Sequence, residues 1–224
     1  MPTEITITAY KFSELEGRAK ERAREKLTEW HTSHDWWDCV YDDAKTRGED
    51  KGFDIEDIRF SGFWSQGDGA HWTGRINLHE FITANLDPDG AWYGEDIILL
   101  ELIDDGWIDR YVTVHNSSYR YQHSGGMQIG EYPSNALESL DDDDDAVLTH
   151  GVMQGANVAQ LRNSFDWEQR INEWCDEAKE QARDFADDVY KKLEAEYEGL
   201  ITDEALSEFA DANEYLFDEE GRMV

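Results

Sequence analysis

Apolar residues recur every three or four positions over 164–198, near the end of the chain. This spacing is the period of one face of an α-helix. With a rise of 1.5 Å per residue, a helix over this segment would be about 50 Å long. The sequence therefore predicts one long C-terminal helix. Its buried face would consist of Trp167, Ile171, Trp174, Ala178, Ala182, Phe185, Val189 and Leu193.

The opposite face of this predicted helix is acidic. It would carry Glu173, Asp176, Glu180, Asp184, Asp187, Glu194 and Glu198, with Lys191 as the main cation. Like charges one turn apart cost an isolated helix roughly 0.2–0.5 kcal/mol per pair, so packing of the apolar face must offset this repulsion. Two interpretations are open: a solvated surface helix in an acidic protein, or an anionic surface kept for a basic partner.

Shorter helices are predicted toward both ends of the chain. A capping box at Ser13 and Glu16 predicts a helix that runs to about Trp30. Apolar spacing predicts a second helix over 35–47, ended by Gly48. Near the C-terminus, Thr202 is typical of the cap of a further short helix.

The middle of the chain has the alternation typical of strands. Segments 53–64 and 70–78 flank the turn sequence SQGDG at 65–69, which predicts a hairpin at the centre of a sheet. Segments 107–116 and 119–132 predict a further strand and a further hairpin, whereas 97–103 fits either a short helix or a buried strand. The predicted fold class is α+β, with a central antiparallel sheet and helices from both chain ends packed on it. We expect a single domain over 1–224, with an acidic loop at 138–146.

The net charge is −32, from 52 acidic and 20 basic residues, and it is unevenly distributed. Residues 1–31 are neutral overall, residues 32–137 carry −13 and residues 138–224 carry −19. Such a charge opposes direct binding to nucleic acid or to an anionic membrane, and it favours basic proteins or divalent cations. Aromatic residues make up 12% of the chain, which favours a packed core over disorder. The densest charge is a run of five residues, Asp141, Asp142, Asp143, Asp144 and Asp145.

The cysteines and the apolar segments point to an intracellular protein. Cys39 and Cys175 are isolated and form neither a disulfide framework nor a zinc motif. No signal peptide opens the sequence, and no apolar run approaches the roughly 20 residues that span a bilayer. The expected location is a reducing cytoplasm.

One segment loosely matches a calcium loop. Asn85, Asp87 and Asp89 precede a glycine, and Asp96 stands at the twelfth position. Pro88 inside the loop and an aspartate in place of the final glutamate both argue against calcium binding. A second metal candidate is the pair His31 and His34 with Asp35 and Asp38.

No catalytic motif is present, and neither an enzyme nor a cofactor is predicted. A nucleophile elbow, an activated cysteine and a phosphate-binding glycine loop are all missing from the sequence. Pairs of carboxylates carry no information about catalysis in a chain with 52 acidic residues.

Several segments together resemble a known family. They are 10–15 (YKFSEL), 19–23 (AKERA), 60–70 (FSGFWSQGDGA), 193–200 (LEAEYEGL), 203–206 (DEAL) and 213–217 (NEYLF). They resemble acidic proteins of bacteriophage genomes that are often labelled as an antitoxin of a toxin–antitoxin stability system. The resemblance implies a phage origin, expression inside a bacterium and a role in neutralising a host or toxin protein. It implies no catalytic residues.

Charge and resemblance lead to one main hypothesis, a non-enzymatic phage inhibitor or anti-defence protein. It would bind a basic, nucleic-acid-binding host protein through a surface that mimics DNA, formed by the acids of the long helix and the aspartate run. Two alternatives stay open. One is an antitoxin that neutralises its toxin through aromatic and shape-driven contacts. The other is a calcium-dependent protein or an uncharacterised enzyme.

Overall fold

A computed structural model describes residues 8–106, 108–116, 122–130 and 166–224. In these residues the helices are α1 (Gly17–His31), α2 (Asp38–Glu49), α3 (Leu78–Asn85), α4 (Tyr93–Asp104), α5 (Trp167–Leu200) and α6 (Asp203–Ala212). The strands are β1 (Phe53–Ser61), β2 (Gly69–Asn77), β3 (Tyr111–Asn116) and β4 (Met127–Ile129). The predicted α+β class is confirmed.

The four strands form one antiparallel sheet in the order β1-β2-β3-β4. Phe53 pairs with Ile76, and Ile76 pairs on its other side with Val112. The predicted first hairpin is therefore confirmed as β1 and β2, but it lies at one side of the sheet instead of its centre, since β1 pairs with β2 alone among the described strands. The hairpin predicted over 119–132 needs correction, since in the described residues only its second strand is present, as β4, and β4 pairs with β3, as Val114 with Ile129 shows.

Helix α5 packs on this sheet, as predicted. All eight residues expected on its apolar face are buried. The indole N–H of Trp72 in β2 donates to the carbonyl oxygen of Ala182 at 3.1 Å. The ring of Phe53 in β1 meets the ring of Phe185 edge-on, with centroids 5.6 Å apart. Aromatic packing and one buried hydrogen bond thus dock the helix on β1 and β2.

The described residues form two compact units. The first comprises those up to Val40 together with those from Lys191 onward, and the second comprises those from Tyr41 to Tyr190. The first unit packs α1 against α6. Its core residues are Phe12, Leu15, Ala23, Leu27, Leu206, Ala210 and Phe217. A single domain over 1–224 stays a prediction.

One local prediction needs correction, and one alternative that the sequence left open is decided. The predicted capping box at Ser13 does not form, since residues 12–14 make one turn of 3-10 helix and α1 begins at Gly17. Leu15 has an extended backbone and is buried in the core of the first unit, which explains the interruption. The ambiguous segment 97–103 is helical, within α4. By contrast, the predicted cap at Thr202 is confirmed, because its hydroxyl accepts from the Ala205 N–H.

Some predictions fall on residues that the structure does not describe. They are the strand over 3–10 up to residue 7, the acidic loop at 138–146 and the five aspartates Asp141 to Asp145. In the part of the chain that is described, no helix has the length and apolar character needed to cross a bilayer.

Candidate partner-binding surface

The solvent side of α5 carries the predicted acids. Glu173, Asp176, Glu180, Asp184 and Asp187 are all exposed, and we call these five residues the acidic face. Because they follow one another by three or four residues, they recur about every 4.5–6 Å along the helix axis. The two remaining predicted acids lie in the part of α5 that belongs to the first unit, where Glu198 is exposed and Glu194 is half-buried.

Two of these five carboxylates have cationic partners. Asp176 pairs with Lys179 at 2.9 Å, and Glu173 pairs with Arg170 at 3.0 Å. Hydrogen bonds from Gln169 and then Arg170 lower the pKa of Glu173 below its ordinary value. Glu180, Asp184 and Asp187 form no ion pair with any described residue. Within the acidic face, the three carboxylates without an ion pair to a described residue are therefore consecutive members of the series, in the middle of α5.

The acidic face borders an open groove of about 550 Å³. Its lining residues are Ser124, Gly125, Asp176, Lys179, Glu180, Arg183, Asp184 and Asp187. The expectation that Lys191 is the main cation needs correction, since Lys179 and Arg183 lie among the acids of the groove. They stand three residues after Asp176 and Glu180, which puts them on the same side of the helix. Four carboxylates against two cations leave the groove negative.

The loop between β1 and β2 forms a second surface feature, which we call the aromatic tip (residues 62–68). One carboxylate oxygen of Asp68 accepts from the backbone N–H groups of Trp64 at 3.1 Å and Ser65 at 2.6 Å. The hydroxyl of Tyr190 in α5 donates to the Gly62 carbonyl oxygen at 3.0 Å. Because Asp187 lies one turn before Tyr190, the tip adjoins the last acid of the acidic face.

A buried ion pair, absent from the sequence predictions, joins α4 to α5. Asp96 is only 4% exposed, and its two carboxylate oxygens accept from Arg170 at 2.7 and 2.8 Å. The indole N–H of Trp174 donates to the same carboxylate at 2.8 Å. The hydrogen bonds that Arg170 donates to Asp96, and then to Glu173, raise the pKa of Arg170 above its ordinary value. One sequence signal could have predicted this ion pair: Asp96 directly precedes the apolar segment 97–103, and a charge buried there needs a partner.

The pairing of Asp96 with Arg170 also argues against the predicted calcium loop. Asp96 is occupied by Arg170 and Trp174, so the twelfth position offers no free carboxylate. The side-chain oxygen of Asn85 accepts from Gln181, and Asp87 accepts from the backbone N–H of Asp89. The four residues do not converge as a calcium loop does. Among the described residues, no group of three or more potential ligands is placed to hold a metal ion.

Of the two histidines in the second metal candidate, His31 has a packing role and His34 is exposed. The His31 ring lies 4.3 Å from the Phe209 ring and 6.1 Å from the His34 ring, between centroids. Burial, and then the charge of His34, lower the pKa of His31 below its ordinary value. The His31 ring, tilted against the Phe209 ring, is therefore part of the first unit's packing.

Comparison with protein families places the chain in one of them. The family model described as "Domain of unknown function (DUF8835)" matches residues 36–203, about three quarters of the sequence. The protein belongs to this family. No curated protein and no solved structure matches the chain. The matched range contains the sheet, the aromatic tip and the whole of α5, so both surface features lie inside the family's domain.

Proposed function

We propose that the protein is a non-enzymatic inhibitor, encoded by a bacteriophage and acting in the cytoplasm of its bacterial host. It binds a basic, nucleic-acid-binding protein through the acidic face of α5. One observation carries the proposal: Glu180, Asp184 and Asp187 lie exposed and without an ion pair to any described residue, on a helix docked firmly to the sheet. The resemblance to acidic phage proteins supports the phage origin and the inhibitory role.

The spacing of the acids sets how far they imitate nucleic acid. Duplex DNA carries one charge per ~1.7 Å of axis, against one per about 4.5–6 Å on this helix. The acidic face is thus a sparse copy of a phosphate row. The aspartate run Asp141 to Asp145, which lies outside the described residues, supplies five further carboxylates to the partner in this proposal. Lys179 and Arg183 repel a uniformly basic surface, so the partner must place its cations opposite the carboxylates.

Long-range attraction follows from the overall charge of −32. A protein with this charge attracts a basic partner over distances of about a Debye length, ~8–10 Å at physiological salt. This steering accelerates association and makes it sensitive to salt. Short-range pairing with the acidic face then determines which basic protein stays bound.

The direct test is affinity capture from bacterial lysate with a triple variant, Glu180→Gln, Asp184→Asn and Asp187→Asn. At about 50 mM salt the wild-type protein should retain a basic protein, and most of it should elute by about 200 mM. At ~1 kcal/mol for each lost charge pair, the triple variant should bind about a hundredfold more weakly.

A matched control separates local contacts from overall charge. Glu204, Glu208 and Glu219 are exposed acids of the first unit, and changing each to Gln removes the same three charges. This control variant should keep most of the wild-type binding. Equal losses in both variants would show that net charge alone governs capture. Recovery of only acidic or salt-insensitive partners would rule out the proposed function.

A second candidate function is an antitoxin whose toxin is recognised by aromatic contacts. Two neighbouring aromatic residues favour it, since Trp92 is 52% exposed and Tyr93 is 39% exposed. Large aromatic side chains on a surface are typical of binding sites for proteins. For this candidate, the triple variant of α5 should capture its partner as well as the wild type does.

A further inference from the structure

Trp64 is the most exposed large hydrophobic residue in the described part of the chain, at 73%. It lies in the aromatic tip, between β1 and β2. Apolar surface contributes to folding only where it leaves water, at roughly 25 cal/mol per Å². The Trp64 ring meets the Phe63 ring edge-on, with centroids 6.1 Å apart, but most of the Trp64 side chain stays in water and is available to a partner.

The backbone around Trp64 is held in place from both sides. Asp68 accepts hydrogen bonds from the N–H groups of Trp64 and Ser65. On the other side, Tyr190 binds the Gly62 carbonyl, and its ring lies 5.6 Å from the ring of Phe63. Phe63 in turn stacks on Phe60, also at 5.6 Å. A loop fixed in this way loses little conformational freedom when its exposed side chain binds another molecule.

The charge around the tip selects the kind of partner. Asp68 lies within the loop, and Asp187 lies one turn of α5 before Tyr190. An acidic or neutral surface that approached Trp64 would therefore meet carboxylates without gaining ion pairs. A surface with lysines and arginines around an apolar patch complements both features.

We propose that Trp64 is the apolar anchor of the partner interface. It inserts into an apolar patch of a basic protein while the acidic face pairs with the surrounding cations. This inference rests on the proposed function and adds a second source of selectivity, because charge pairing alone does not require an apolar patch on the partner. Tryptophan is enriched among the few residues that dominate binding energy at protein interfaces.

Two synthetic helical peptides test the inference with the full-length chain. Both carry the same lysines and arginines, and they differ in a central cluster of leucines in one and serines in the other. The change Trp64→Ala should weaken binding of the leucine peptide about thirtyfold, the size of an interface hot spot. Binding of the serine peptide should change less than twofold. Trp64→Phe should restore part of the loss.

Tyr111→Ala is the control, since the Tyr111 side chain is 45% exposed but lies in β3, outside the tip. It should leave binding of both peptides unchanged, and circular dichroism should confirm that each variant is folded. Suppose that Trp64→Ala binds the leucine peptide as tightly as the wild type does, and that the triple variant of α5 binds both peptides weakly. This result would refute the role of Trp64 as an anchor and would leave the proposed function standing. If the triple variant binds both peptides as the wild type does, or neither peptide binds the wild type, the proposed function fails and the anchor fails with it.

Discussion

Replacing Asp96 with alanine should destabilise the protein by about 3–5 kcal/mol, the usual cost of removing one partner from a buried ion pair. The loss is large because two donors remain behind. The Arg170 guanidinium would lose both of its hydrogen bonds to this carboxylate, and the buried indole N–H of Trp174 would lose its acceptor. The free energy of unfolding in urea measures the effect.

The control for this prediction is Glu173→Gln. Glu173 also pairs with Arg170, but it is exposed, so its loss should cost under about 1 kcal/mol. In the double variant Asp96→Ala with Arg170→Met, part of the stability should return, since no buried charge is then left unpaired. A loss for Asp96→Ala no larger than for Glu173→Gln would show that water enters the site and solvates Arg170.

Replacing Trp72 with alanine should cost about 3–5 kcal/mol, as for other buried aromatic residues. Trp72 is only 1% exposed, its ring packs 5.4 Å from the ring of Phe53, and its N–H reaches the Ala182 carbonyl. The alanine variant therefore opens a cavity between the sheet and α5. Urea unfolding followed by far-ultraviolet circular dichroism measures the change.

Two further variants separate the contributions of Trp72. Trp72→Phe keeps most of the ring volume and loses the hydrogen bond, so it should cost less than Trp72→Ala but at least about 1 kcal/mol. Trp92→Ala removes a half-exposed tryptophan whose ring lies 5.9 Å from the Arg170 guanidinium, and it should change stability by less than about 1 kcal/mol. Equal stabilities for Trp72→Ala and Trp92→Ala would contradict the docking of α5 through Trp72.

The long helix was predictable because the residues that define its pattern are close together in the sequence. Eight apolar residues at helical spacing outweigh any competing pattern, and all eight are buried. The same periodicity gave the exposed acids of α5. The same spacing also places two cations, Lys179 and Arg183, among these acids, whereas the sequence prediction names Lys191 as the main cation. The start of α1 was mispredicted because burial of Leu15 in a core built from distant residues overrode the local capping signal.

The other surface and core features depend on residues far apart in the chain. The ion pair joins Asp96 to Arg170, 74 positions later, and no local pattern pairs one of 52 acids with one of 20 bases. The aromatic tip depends on the contact of Gly62 with Tyr190, 128 positions later. The predicted strand over 53–64 includes Trp64, whereas β1 ends at Ser61, so the loop that exposes Trp64 was not predicted.

The central claim is that the carboxylates in the middle of α5 pair with cations of the partner. The most direct measurement is the dissociation constant of the captured basic protein at increasing salt, for the wild type and for the triple variant of Glu180, Asp184 and Asp187. We predict that the wild type binds far more tightly at low salt and that the two proteins converge as salt screens the charges. Equal dissociation constants at every salt concentration would contradict the claim.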